Sequence, residues 1–195
     1  MARYTIKIVK FGCVDEPGCD FVGSDEIFWV FTANAGGQVR TTTSRVFGNV
    51  DTGDCYDFPT DRDRNIVWPH KGAAQGADGP IGLSIQLWES DQGKPESIGH
   101  DTAAVLSLLQ AARGVGNWVT AVGPVVRSTL VDLTSDDLMG STTLLYTASR
   151  LQKQLPAVGG SMLEKHRIGR AGGDLQYEVA GGPNYDLHLK ITRVV

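Results

Sequence analysis

Acidic residues gather at the ends of two apolar runs in this chain, and their spacing is that of a cation site. In Cys19–Phe31, Asp20 and Asp25 precede the run Ile27-Phe28-Trp29-Val30-Phe31. In Gly82–Asp91, Glu89 and Asp91 follow the alternating Leu83, Ile85 and Leu87. Side chains alternate across a strand, so carboxylates two residues apart at a strand end project to the same side. Two such ends meeting at one sheet edge would concentrate carboxylate oxygens and repel one another. A hard cation relieves that repulsion, and Ca²⁺ takes about 6–8 oxygen ligands in flexible geometry.

These residues resemble a known family. Asp20-Phe-Val-Gly-Ser-Asp25-Glu-Ile-Phe-Trp-Val is similar to the first calcium loop of C2 domains, where an Asp, a Gly, a Ser-Asp pair and an aromatic strand follow in order. Leu87-Trp88-Glu89-Ser90-Asp91 resembles the strand and start of their third loop, with Glu89 where the family usually has Asp. That loop closes with an acid two residues before an apolar-Gly pair. Glu96-Ser-Ile-Gly99 and Asp137-Leu-Met-Gly140 both fit, and only the second leads into a clear strand, Ser141–Thr147. Asp137 is therefore preferred, and Gln92–Ser135 becomes a long insertion inside the third loop. The resemblance implies a C2-like sandwich over residues 1–195 and a calcium-dependent, non-catalytic module for a phospholipid membrane surface. It implies Asp20, Asp25, Glu89, Asp91 and Asp137 as the ligands of Ca²⁺. Asp15, Glu16, Glu96 and Asp136 are held in reserve.

The elements that must carry these acids read as strands. Runs with strand character occur at Tyr4–Phe11, Ile27–Thr32, Val39–Phe47, Gly82–Glu89, Ser141–Thr147, Met162–Ile168, Leu175–Val179 and Tyr185–Arg193. Gly36-Gly37, Gly172-Gly173 and Gly181-Gly182 punctuate them as hairpin turns would. Eight short strands predict a mainly β, antiparallel two-sheet sandwich. Gly48–Gly79 is rich in Asp, Gly and Pro and reads as an irregular connection. Within it Asp61, Asp63 and Asn65 mimic the start of an EF-hand. Ile66 stands where that loop needs Gly, and Gly72 where it needs Glu, so the motif is rejected.

Asp101–Leu133 differs from the rest. It is apolar without strand alternation, and Ala104, Leu108, Ala111 and Val115 fall on one helical face. Asp101 or Thr102 would cap a first helix, Gly114 and Gly116 would end it, Asn117 would cap a second, and Gly123-Pro124 would kink or split that one. The segment predicts a helical hairpin packed on the sandwich, leaving from and returning to the end that carries Asp25 and Asp91. Arg113, Gly123-Pro124 and Arg127 break it too often for a transmembrane span. Contact with a membrane through Trp118, or a homo-oligomer interface in a structural protein, are the other roles its composition permits.

Composition bounds the rest. The 195 residues have a formal net charge of −4, 41% hydrophobic and 21% charged residues, ordinary values for a globular chain. With no run of Lys or Arg, no nucleic-acid partner is expected. Cys13, Cys19 and Cys55 cannot all pair within the chain. A Cys13–Cys19 bridge across the first loop competes with three reduced thiols, and the reduced state is favoured. The N-terminal residues read as a strand, not a secretory signal, which leaves localisation open. No nucleophile elbow, phosphate loop, dinucleotide fingerprint or metal-spaced histidine set is present. Trp68-Pro69-His70 keeps a glycan-binding alternative in view, since a loop aromatic beside a calcium site could stack on a sugar.

Overall fold

The computed structural model describes residues 2–15, 25–60, 65–69, 79–90, 95–126, 138–169 and 183–195. Among them, two five-stranded antiparallel sheets face each other. Sheet A runs β5 (Cys55–Asp57), β1 (Tyr4–Asp15), β10 (Asn184–Arg193), β9 (Ser161–Gly169), with β6 (Ile66–Trp68) also paired to β1. Sheet B runs β3 (Gln38–Thr43), β2 (Asp25–Ala35), β7 (Ile81–Glu89), β8 (Leu138–Tyr146), with β4 (Phe47–Val50) also paired to β2. The expected mainly β sandwich is what the chain adopts.

The alternation that predicted the strands also sets the core. Tyr4, Ile6 and Ile8 of β1 face inward, as do Leu187, Leu189 and Ile191 of β10. Across from them lie Ile27, Trp29 and Phe31 of β2 and Leu83, Ile85 and Leu87 of β7. A register shift between Ile8 and Lys10 adds one residue to β1, so the inward positions change from even to odd and Phe11 and Cys13 still point into the core. Phe11 anchors an aromatic cluster, with its ring centroid 4.9 Å from Phe47, 5.2 Å from Tyr56 and 5.5 Å from Trp29. The β2–β3 hairpin turns on Gly36 and Gly37 at φ 55° and 77°. Positive φ at both central residues is the requirement of the type I′ turn that matches strand twist.

Three details differ from the sequence reading. Val39–Phe47 is two strands, because Ser44 replaces a ladder contact with its side chain: the Trp29 amide donates to Ser44 Oγ at 2.8 Å. Gly48–Gly79 holds β5 and β6, whose three residues each are too short for a periodicity argument. A short helix, α2 (Ala148–Gln154), follows β8. Thr147 caps it by accepting from the Arg150 amide at 3.2 Å, and Leu151 and Leu155 are buried. The predicted strand Leu175–Val179 lies outside the described residues.

The insertion is helical as α1 (Pro95–Val125), and it begins six residues earlier than the expected cap at Asp101, with Pro95 in the first position. It lies along the outer face of sheet B. Phe28 and Val30 of β2 and Trp88 of β7 point outward and form a second core with Ile98, Leu106, Trp118, Val122 and Val126. Covered on both faces, β7 is buried from Ile81 to Trp88. The expected buried face was the wrong one: Ala104 is exposed and Leu108 is 75% exposed. Both faces of this helix are apolar, and the one with the bulkier side chains, at Val105, Leu106 and Leu109, won the sheet.

The Trp118 indole Nε1 donates to the Leu106 carbonyl at 3.0 Å, across 12 residues. That many residues of straight helix would span about 18 Å. The backbone therefore bends back between Leu106 and Trp118, the interval that contains Gly114 and Gly116. After this return, Trp118 and Val119 rest on Gly82: a Cβ there would stand 2.8 Å from Val119 Cγ2 and 3.1 Å from the indole. Gly82 is seven positions from Glu89, about 23 Å along the strand. The insertion therefore does not stay at one end of the sandwich.

Candidate functional site

Register brings the strand ends of both sheets to one apex. Asp15 pairs with Asn184 and Asn184 with Gly169 in sheet A. Asp25 pairs with Val50, Ile27 with Glu89 and Trp88 with Leu138 in sheet B. The β2–β7 ladder continues one step past its last strand pair, where the Ser90 amide donates to the Glu26 carbonyl at 2.7 Å. The sheets touch here, with Gly140 packed so closely on the Gly169 backbone that a Cβ would lie 2.7 Å from its carbonyl oxygen.

Of the predicted ligands, Glu89 ends β7 with a half-buried side chain, and Asp25 opens β2. Asp20, Asp91 and Asp137 lie outside the described residues. Among the described residues, no three His, Cys, Asp or Glu side chains are grouped so as to hold a metal ion. Cys13 is buried and Cys55 exposed, while Cys19 is outside the described residues.

The same end carries acids that the sequence reading left in an irregular connection. The Asp51–Asp54 turn closes on β1: the Cys13 amide donates to the Asp54 carbonyl at 2.9 Å, and the Gly53 amide donates to the Cys13 carbonyl at 2.9 Å. Tyr56 Oη donates to the Asn49 carbonyl at 2.8 Å and to Asp54 Oδ2 at 3.1 Å. Burial, the hydrogen bond to Asp54 and the negative charges of Asp54 and Asp51 hold the Tyr56 hydroxyl above its ordinary pKa. The spacing Asp51-Thr-Gly-Asp54 was the available signal, and only the pairing of Val50 with Asp25 gives it a location.

Trp118, expected to contact a ligand or membrane, is fully buried between α1 and sheet B. Its indole N–H is satisfied inside the protein, so it serves packing. Trp29, Trp68 and Trp88 are buried as well, which removes the aromatic platform that the glycan alternative needed at Trp68.

A second polar cluster lies where β8 meets β9. Glu164 receives Arg150 Nη2 at 2.6 Å on one oxygen and Tyr146 Oη at 2.9 Å on the other, with His166 Nε2 at 3.2 Å. Burial and the neighbouring Glu164 carboxylate push the Tyr146 hydroxyl far above its ordinary pKa. The cluster clasps α2 and the two sheets together.

No protein-family model and no curated protein sequence matches the chain. Among solved structures, the chain is similar to a human GIVD cytosolic phospholipase A2 in complex with methyl gamma-linolenyl fluorophosphonate. That match has 9% identity and a TM-score of 0.40, covering 99% of this chain and 17% of the other. It is also similar to the C2A domain of a plant extended synaptotagmin 1, with 8% identity and a TM-score of 0.44, covering 100% of this chain and 96% of the other. The chain thus spans 17% of the phospholipase structure and nearly all of the C2A structure.

Proposed function

We propose that the chain is a calcium-dependent binding module for a phospholipid membrane surface, with Asp20, Asp25, Glu89, Asp91 and Asp137 as the ligands of the metal. The register at the apex carries this reading. Ile27 faces Glu89, and the Glu26 carbonyl accepts from the Ser90 amide, so the ends of β2 and β7 lie side by side at the apex. Trp88 faces Leu138, which brings the start of β8 to the same edge. Acids facing each other across strands repel, and hard oxygen donors of this kind suit Ca²⁺. Bound there, the cation would join the carboxylates to phosphate oxygens of a lipid headgroup and reverse the sign of the local field.

Calcium should stabilise the fold, by about 2.7 kcal/mol at one hundred times its dissociation constant. A melting temperature that is the same in chelator and in millimolar calcium would sink the proposal. Asp25→Asn and Asp91→Asn should weaken calcium binding in calorimetric titration and leave the metal-free fold no less stable, since each relieves repulsion. A loss of stability in chelator would mean that the acid serves a structural partner instead.

A further inference from the structure

The outer face of sheet B is not apolar throughout. Near the apex it carries Phe28, Val30 and Trp88, which pack under α1. Farther along the same strands, the same alternation turns Thr32 and Asn34 of β2 and Ser84 and Gln86 of β7 outward. Register joins hydroxyls into one row across β3, β2, β7 and β8: Thr41, Thr32, Ser84 and Thr143. α1 contacts all of these strands, and Thr32, Asn34, Ser84 and Gln86 are buried. Thr102 comes from the helix side. It stands midway between Ile98 and Leu106 on the stripe that faces the sheet, and it is fully buried.

Polar atoms in this seam are left without hydrogen-bond partners among the described residues: Asn34 Oδ1 and Nδ2, Gln86 Nε2 and Thr102 Oγ1. Other groups beside them are served. Thr32 and Thr41 share a hydrogen bond at 2.9 Å, and the Trp88 indole donates to Gln86 Oε1 at 3.0 Å. Buried polar groups are nearly always paired, and an amide shut away with both ends unmet opposes folding. Asn34 stands opposite Gly82, the residue on which Trp118 and Val119 rest. A leucine there would fill a similar volume without that cost, so the amide is a liability to the fold and an asset only to a ligand.

We propose that the seam between α1 and sheet B binds a small uncharged carboxamide, with Asn34 as its anchor. Among the described residues, the buried polar groups of the seam are all hydroxyls and amides, so an ion entering it would lose its hydration and meet no countercharge. A carboxamide supplies what Asn34 lacks: an N–H for Oδ1 and a carbonyl for Nδ2, side by side in one plane. Gln86 Nε2 adds a donor farther along the seam, and the Thr102 hydroxyl takes either role. Thr41 and Thr143 are half-buried, so the hydroxyl row reaches solvent at both edges of the sheet and offers a way in. Ile27 faces Glu89, and Asn34 is seven positions farther along β2, about 23 Å from that end. The site is therefore separate from the apex and does not depend on the calcium reading.

The test is an amide NMR titration of the whole chain with acetamide. Acetate, which is charged, and N,N-dimethylacetamide, which has no N–H, serve as comparators of similar shape. The side-chain amide of Asn34 and the backbone amide of Gly82 opposite it should shift saturably with acetamide, at a dissociation constant in about the millimolar range. Neither comparator should move them. Asn34→Leu should weaken acetamide binding, read at Gly82, by about tenfold or more. It should also melt no lower than the parent, because two unmet polar groups leave the interior. Gln154→Leu, exposed on α2, should bind as the parent does. If Asn34→Leu fails to fold, Thr102→Val decides, with an expected loss of about threefold. The absence of a saturable shift with acetamide, equal shifts with either comparator, or unchanged affinity in the variants would overturn the proposal. A folded Asn34→Leu that melts lower than the parent, with no response to acetamide in either protein, would assign the seam to bound water and overturn it too.

Discussion

The two sheets of this sandwich have the same inner face and opposite outer ones. Sheet B turns Phe28, Val30 and Trp88 outward and buries them under α1. Sheet A turns lysines outward and leaves them in solvent. A strand read for alternation reveals one buried face. The sequence of β7 alternates, with Gly82, Ser84 and Gln86 between Ile81, Leu83, Ile85 and Leu87, yet both of its faces are buried, and that burial implies a third layer somewhere in the chain. The helix that supplies this layer is the insertion, so its apolar composition is spent on the sheet. That is why Trp118 packs inside, and no described helix is long and apolar enough to cross a membrane.

The comparison can be broken most completely by removing the third layer. Replacing residues 92–135 with a short Gly/Ser linker would bare Phe28, Val30 and Trp88 as one apolar patch. The expected outcome is loss of the cooperative unfolding transition and aggregation, read by circular dichroism and size-exclusion chromatography. A soluble, folded sandwich would show that α1 covers sheet B without being needed by it.

Less drastic changes under the helix should follow in order of buried volume. Trp118→Ala removes a fully buried indole and should cost about 3–5 kcal/mol in urea unfolding. Gly82→Ala pushes a methyl against Val119 and the indole and should cost about 1–3 kcal/mol. If Gly82→Ala is neutral, the helix is free to move off the strand. At the seam between the sheets, Glu164→Ala leaves the buried Tyr146 hydroxyl without its acceptor, at about 1–3 kcal/mol. Adding Tyr146→Phe should restore part of that loss, because no unsatisfied hydroxyl then remains.

The smallest effect belongs to the bare face. The hydrogen bond from Arg167, with Lys165 assisting and burial opposing, holds the Asp186 carboxyl below its ordinary value of 3.8. A depressed carboxylate contributes its stability above that unfolded value and loses it as pH falls through the folded one. Arg167→Ala should therefore raise the Asp186 pKa in an NMR titration and flatten the acid limb of the stability curve. Stability at neutral pH should change little, as for most exposed pairs. An unchanged titration would show that the pair is not formed in solution.

The sandwich was legible from Tyr4, Ile6, Ile8 and Leu83, Ile85, Leu87, because inward side chains recur with period two and glycine pairs mark the turns. The helical character of the insertion was legible from its missing alternation. Its buried face was not, because Ala104-Leu108 and Val105-Leu109 offer two apolar stripes and only the sheet chooses between them. β5, β6 and α2 escaped because three or seven residues carry too little periodicity to separate from a loop.

Strand periodicity and the acids at the ends of two apolar runs are properties of contiguous sequence, so the chain by itself determined a β-sandwich and a candidate cation site. Lys7, Lys10, Lys165 and Lys190 make no run in the sequence, and the overall charge is negative. Antiparallel pairing of β1 with β10 and of β10 with β9 sets residues from the two ends of the chain side by side. The basic face is therefore decided by register alone, because charge acts over distances in space and strand pairing erases distance along the chain.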